Sequence, residues 1–218
     1  MCGRCGHAAF TAQPRCGSTG AKRLAARGKL SRVTLNPFVR RDDPHTLVVG
    51  MTGVKMGDRI VQIGCAHPGR LGAVAAKVGL SGHAVAIVPD EAAAARARRG
   101  AAQAGVFVEI EIAPPMQLPA DNEAFDVAIV DDTAGLLARM QAEDRVATMR
   151  ELLRVLRPGG RTIVIGATPR GGLGALLTRT RSGPPFDAVP ALQAEGFKSV
   201  RKLAEREGLV FVEGIKRR

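Results

Sequence analysis

The sequence predicts an α/β protein built on a mostly parallel sheet, and three observations carry that prediction. From Leu47 onward, short runs rich in β-branched residues alternate with stretches of helical periodicity, the pattern of strands joined by crossover helices. The runs are apolar almost without interruption, which implies strands covered on both faces. The last two runs are separated only by a turn at Glu207-Gly208, which reads as an antiparallel hairpin closing the chain.

The first five strands are expected at Arg59–Ile63, Ala84–Val88, Val106–Ile112, Phe125–Val130 and Thr162–Ile165, each bounded by Gly, Pro or Asp. Between them, Leu71, Val74, Ala75 and Val78 recur at helical spacing and stop at Gly79. Asp90 to Gly105 is Ala-rich, with acids at its start and Arg96, Arg98 and Arg99 further along, so its charges match a helix dipole at both ends. Val146, Met149, Leu153 and Leu156 mark a third helix that stops before Pro158-Gly159-Gly160. A helix after Pro190 running through Ala194 then leads into hairpin strands Phe197–Leu203 and Leu209–Ile215.

A chain of 218 residues, 45% of them hydrophobic, can bury a core without disulfides, which excludes disorder throughout. Residues 1–43 read differently, as a basic and flexible extension ahead of a domain spanning 44–218. From Met1 to Arg41 there are nine basic residues and no acid, against a net charge of +12 for the whole chain. With no Trp or Tyr and seven Phe, little aromatic surface exists on which unpaired bases could stack, so nucleic-acid contact is expected only as nonspecific phosphate contact through this segment. An acid-free, Arg-rich start also fits a transit peptide, although its Ser content is low. No run approaches a membrane span and no secretory h-region is visible, so the expected location is cytoplasmic.

Four cysteines are too few for a disulfide framework and suit a reducing compartment. Cys2-Gly-Arg-Cys5 with His7 and Cys16 resembles half of a zinc ribbon, but Gly17-Ser18-Thr19 stands where a fourth thiol belongs, so no metal site is expected.

The first strand runs into Gly64-Cys65-Ala66-His67-Pro68-Gly69 and then a helix, a small-residue turn that sets backbone N–H groups and a positive helix terminus at the strand's carboxyl edge. Lys55-Met-Gly-Asp-Arg-Ile-Val-Gln-Ile-Gly-Cys65, Leu118-Pro-Ala-Asp-Asn-Glu-Ala-Phe-Asp126 and Glu151-Leu-Leu-Arg-Val-Leu-Arg-Pro-Gly-Gly160 occur in this order. Together they resemble the class I S-adenosylmethionine-dependent methyltransferases, particularly the type 11 group, over about Met51 to Arg217. The resemblance implies a three-layer Rossmann-like fold with a seven-stranded sheet in the order 3-2-1-4-5-7-6, only strand 7 being antiparallel. It also implies S-adenosylmethionine as cofactor and methyl transfer to a small-molecule acceptor. By the same resemblance Gly64, Cys65, Ala66 and Gly69 form the cofactor turn, Asp90 the ribose contact, and Met116 and Gln117 the adenine wall. Asp131, with Asp132 at the end of the fourth strand, faces the acceptor as the candidate catalytic group.

The departures fall on ligand-binding positions. Gln62 stands where the family carries an acid, Ala66 and Pro68 replace two motif glycines, and Val88-Pro89 occupies the strand 2 terminus with Asp90 next. Asp90 reads equally as the N-cap of the helix that follows. Two functions are therefore expected in competition: a methyltransferase, or a methyltransferase-like binding or scaffold protein that does no chemistry and uses the basic segment for contact. Arg170, Arg179 and Arg181 lie in an acid-free stretch that in the resembling family covers the substrate crevice, and read either as a solvated loop or as the rim of a pocket that would favour an anionic acceptor.

Overall fold

In the computed structural model, residues 44–168 and 186–218 are described. The basic extension, the Cys2, Cys5, His7 and Cys16 group, and Arg170, Arg179 and Arg181 lie outside the described residues. The elements are α1 (Thr46–Thr52), β1 (Arg59–Ile63), α2 (Pro68–Val78), β2 (His83–Val88), α3 (Glu91–Ala104), β3 (Glu109–Ile112), β4 (Phe125–Asp131), α4 (Ala142–Val155), β5 (Leu156–Ala167), α5 (Ala188–Ala194), β6 (Lys198–Arg206) and β7 (Leu209–Ile215).

The seven strands form one sheet in the order β3-β2-β1-β4-β5-β7-β6. All neighbouring pairs are parallel except β5 with β7 and β6 with β7. Alternate residues of each strand feed opposite layers, as period-2 geometry requires. Ile60, Ala86, Ile129 and Ile165 pack with Leu71, Val74 and Val78 of α2 and Ala93, Ala94 and Ala97 of α3. Val61, Ile63, Val130 and Val164 pack with Met149, Leu152 and Val155 of α4 and Leu192 of α5. This two-sided burial is what the uninterrupted apolar runs predict.

Several element boundaries differ from the sequence reading. β3 holds only Glu109–Ile112, because the Val106 N–H closes the end of α3 on the Ala101 carbonyl instead of joining the ladder. α4 ends one residue before Leu156, which pairs with Phe125 and opens β5. Its buried face is Thr148, Met149, Leu152 and Val155, one step off the expected Val146, Leu153 and Leu156 phase. α5 begins at Ala188, capped by the Asp187 carboxylate, and places Pro190 in its first turn, where a missing N–H has no cost. β6 starts at Lys198 and runs on to Arg206, so the hairpin turn is tight at Glu207-Gly208. α1 has no counterpart in the sequence reading; Thr-Leu-Val-Val is β-branched, and only the left-handed Gly53 stop (φ 56°) marks it as a helix.

α2 and α3 approach closely because small residues face each other. A Cβ on Gly72 would lie 2.6 Å from the Gly100 carbonyl oxygen, and one on Gly100 would overlap the Pro68 carbonyl. The start of α2, and with it the turn that follows β1, is thus located by a glycine on α3. Among the described residues no helix is long and apolar enough to cross a membrane.

Replacing Gly100 by Ala tests this contact with a clear sign. Helix propensity alone favours Ala by about 1 kcal/mol, whereas overlap with a backbone carbonyl costs about 1–3 kcal/mol. Urea denaturation is expected to show net destabilisation of up to about 2 kcal/mol; a gain in stability would show that α2 and α3 have room to separate.

Candidate functional site at the β1–β4 switch point

The strand order reverses between β1 and β4, one neighbour leading toward β2 and β3, the other toward β5. In an open α/β sheet the crevice outside the carboxyl ends at this point is where ligands bind. The backbone aligns that edge closely: Gly64 donates its N–H to Ile87 O at 2.8 Å, Ala113 to Val88 O at 3.0 Å, and Asp132 to Ile165 O at 2.9 Å.

The turn after β1 is held by a buried carboxylate 65 residues downstream. Asp131, 2% exposed, accepts the Ala66 N–H at 3.0 Å on Oδ2. Its Oδ1 accepts from Arg70 Nη1 at 3.3 Å, the Thr133 hydroxyl at 2.6 Å and the Thr133 N–H at 3.3 Å. Arg70 Nη1 also donates to Thr133 Oγ1 at 2.7 Å. Four donors around one carboxylate make a charge-assisted knot that ties the start of α2 to the end of β4. Both oxygens of Asp131, the residue expected on the acceptor side, are engaged inside the chain.

The other residues of the turn are equally defined. Gly64 has φ 79°, a conformation that suits glycine, and a Cβ there would crowd Leu136 at 3.1 Å and the Asp131 carbonyl at 3.2 Å. Cys65 is buried, and its carbonyl accepts from Arg96 Nε at 3.1 Å. Desolvation, then the neighbouring Asp131 charge, push its thiol up to about 11 against the lowering effect of three nearby arginines, so it is an inert neutral thiol at physiological pH. Gly69 lies in the first turn of α2 under the His45 ring, which meets the His67 ring edge-on at 5.1 Å between centroids. Gln62 is 2% exposed and donates its amide to Gly64 O at 3.1 Å, a role that a carboxylate at this position could not fill.

The fold brings Gly64, Cys65 and Ala66 together in the turn, with Ala66 hydrogen-bonded to Asp131; Asp90, Met116 and Gln117 stand apart along the same edge. Asp90 is the N-cap of α3, accepting from Ala93 N at 2.7 Å on one oxygen, and is exposed. Met116 is half-buried and Gln117 exposed, in a loop closed by the Gln117 N–H on Pro114 O at 3.0 Å. Asp132 is 6% exposed, on the opposite sheet face from Asp131, and accepts Leu137 N–H at 2.6 Å. Burial first, then the Asp131 charge, raise its carboxyl to about 6 despite that hydrogen bond. Among the described residues, no three His, Cys, Asp or Glu side chains gather to hold a metal ion.

Sequence reasoning missed Arg70, Thr133 and Arg96. Arg70 did carry a signal: a cation in the first turn of a helix opposes the macrodipole, so it calls for a carboxylate partner nearby. A concavity of about 600 Å³ lies on the flank between α1 and α2, bounded by Val49, Gly53, Ala73 and Lys77, away from the turn.

Comparison with known proteins bears on the domain and its fold. Residues 60–160 match the family model described as a methyltransferase domain. An uncharacterized protein of Mycobacterium tuberculosis is 31% identical over 139 residues, 64% of this chain and 48% of that protein. The methyltransferase GfsG of Streptomyces halstedii is 26% identical over 161 residues, 73% of this chain and 55% of that protein. The chain spans about half the length of the curated relatives it matches. Among solved structures, a SAM-dependent methyltransferase from Aquifex aeolicus superposes with a TM-score of 0.61 at 19% identity, covering 78% of this chain and 87% of that one. The [4+2]-cyclase SpnF superposes with a TM-score of 0.59 at 20% identity, covering 78% of each chain. At these identities the solved structures establish the fold.

Asp132 gives a pH-dependent prediction. Its folded pKa lies above its unfolded value, so the folded state binds the extra proton and stability is lost as pH rises from about 4 through about 6. Asp132→Asn keeps an acceptor for Leu137 N–H and is expected to stabilise the protein by about 2 kcal/mol at pH 8. The gain should vanish below about pH 4, and thermal melts across this range check both limits. Equal stability of variant and parent at pH 8 would show that the Asp132 charge is solvated in the fold.

Proposed function

We propose that this chain, a member of the class I S-adenosylmethionine-dependent methyltransferase family, binds S-adenosylmethionine in the crevice above β1 and β4 and passes its methyl group to a small-molecule acceptor. The observation that carries the reading is the Asp131 knot. It fixes a small-residue turn at the switch point and sets a buried negative charge under it, where the neutral Gln62 supplies none.

The residues present fit such a cofactor. Gly64, Cys65 and Ala66 offer close backbone approach beside the methionine portion. Asp90 keeps one carboxylate oxygen free of hydrogen bonds among the described residues at the end of β2, within the region that a ribose would occupy. Met116 and Gln117 flank the adenine from the loop after β3. Bound there, S-adenosylmethionine supplies an electrophilic sulfonium methyl for in-line displacement, a reaction governed by orientation and water exclusion. The chain's part is accordingly to position: Asp131 holds the turn, and Gly64 keeps it close against Leu136. Asp131 and Asp132, which end β4 at the switch point, are the carboxyl groups proposed for the acceptor side.

A second reading has its own observation. Gly64 and Ala66 spend their N–H groups inside the chain, Pro68 has none, and Gln62 is turned onto Gly64 O. A turn so self-satisfied suits a methyltransferase-like module that binds a partner without chemistry, with the segment 1–43 as contact. The cytoplasm remains the proposed location and 44–218 the proposed domain.

Calorimetry separates the readings. S-adenosylhomocysteine is expected to bind at micromolar to submillimolar concentration, and Asp131→Asn, which keeps the shape without the charge, to weaken it about tenfold, equivalent to about 1.4 kcal/mol. No heat with cofactor or product up to millimolar concentration would favour the scaffold reading.

The acceptor is proposed to carry a carboxylate or phosphate, on the strength of Arg170, Arg179 and Arg181 in the sequence. Changing all three to Gln should leave cofactor affinity intact and weaken anionic acceptors in a salt-dependent way. An acceptor screen that yields only neutral or cationic compounds would contradict this.

A further inference from the structure

β3 ends at the carboxyl edge of the sheet and β4 begins at the opposite edge, with β2 and β1 lying between the two strands. Residues 113–124 must therefore cross the whole sheet. The crossings from β1 to β2, β2 to β3 and β4 to β5 are made by helices, whose backbone groups satisfy one another. This one contains no helix, and Pro114, Pro115 and Pro119 remove three of its N–H groups. Within it Gln117 N–H closes on Pro114 O and Ala120 N–H on Leu118 O; the Leu118 N–H and the carbonyls of Leu118 and Ala120 take partners from outside it.

Two side chains one turn apart on α4 supply them. Glu151 Oε2 accepts the Leu118 N–H at 2.8 Å. Arg154 returns Nη2 to Leu118 O at 3.0 Å, and Nη1 to Ala120 O at 2.8 Å and Asn122 Oδ1 at 2.9 Å. The backbone of Arg154 also accepts the Glu123 N–H at 3.0 Å. The two side chains lock each other as a fork, Nε to Oε1 at 2.8 Å and Nη2 to Oε2 at 2.7 Å. Leu118, whose N–H and C=O are both held, is 4% exposed among the α4 core residues. It stands immediately after Met116-Gln117.

We infer that Glu151 and Arg154 are positioning residues for the cofactor: by gripping both backbone groups of Leu118 they fix the Met116-Gln117 segment at the carboxyl edge against which the adenine packs. This rests on the reading that the crevice binds S-adenosylmethionine. Neither side chain touches the crevice, so the effect is transmitted through the loop. A loop free to shift would take up the ligand only after being ordered, and the affinity would fall by the fraction of time it spends in place. The fork also keeps Glu151 ionised: the Arg154 hydrogen bond, with help from Leu118 N–H, holds its carboxyl below the usual range against some desolvation.

The full chain tests this with S-adenosylhomocysteine as probe. Arg154→Met keeps the apolar stem and removes the grip; Arg154→Lys keeps the charge and one donor; Glu151→Gln keeps an acceptor for Leu118. Calorimetric affinity, melting temperature and amide exchange over 113–124 are measured for each. The expected result is at least fivefold weaker binding for Arg154→Met, faster exchange confined to 113–124, and partial recovery in Arg154→Lys and Glu151→Gln. Parent-like affinity in Arg154→Met overturns the proposal, as does exchange that rises equally through β4 and β5, the mark of general loosening. If the parent itself takes up no S-adenosylhomocysteine, the cofactor reading fails and the proposal falls with it. Exchange confined to 113–124 in Arg154→Met would then identify the grip as purely structural.

Discussion

A single buried carboxylate organises the carboxyl edge of the sheet between β1 and β4. Asp131 gathers Ala66 N–H, Arg70 and Thr133 at the one place in the sheet where neighbouring strands lead their chains in opposite directions. A carboxyl group that is 2% exposed is tolerable because both of its oxygens accept hydrogen bonds and the Arg70 guanidinium lies beside it. Removing one donor would leave the rest of a buried anion uncompensated. The turn, the start of α2 and the end of β4 are therefore one unit, and the Gly100 contact with Pro68 carries that constraint on to α3.

The same logic accounts for how the chain keeps the architecture of the methyltransferase domains it resembles while differing from them in the turn. The acid absent from β1 is replaced in charge, though not in position, by one from β4. Gln62 uses its amide to hold the Gly64 carbonyl, so the amide is part of the turn's structure. Across the sheet, Glu151 and Arg154 do for an irregular crossover what Asp131 does for the turn. In both places an ionised side chain on a regular element satisfies the backbone of a segment that cannot satisfy itself.

The sheet was legible in the sequence because its strands are buried on both faces, and a short unbroken Val/Ile/Ala run between Gly, Pro or Asp suits a doubly covered strand better than a helix or a loop. Where apolar residues lie outside the ladder the reading overreached: Val108 is buried without being a rung of β3. α1 was invisible because seven residues headed by Thr-Leu-Val-Val favour extended structure locally, and packing of Val48 under the first layer overrides that preference. At the site, Gly64, Cys65 and Ala66 were readable from the strand–glycine–helix pattern. Asp131 was readable as a strand-end carboxylate, but its bond to Ala66 was not, since a contact spanning 65 residues leaves no local trace. The role of Asp90 as cap was readable from its place just ahead of an Ala-rich helix.

A ligand site at the Asp131-anchored turn would be visible residue by residue. Amide chemical-shift mapping during titration with S-adenosylhomocysteine tests it most directly, because it reports position as well as binding. The predicted result is a contiguous set of shifted amides at 64–70, 90–91, 116–118 and 131–133, with β6 and the flank between α1 and α2 unmoved. Shifts confined to that flank, or no shifts at millimolar ligand, would contradict it.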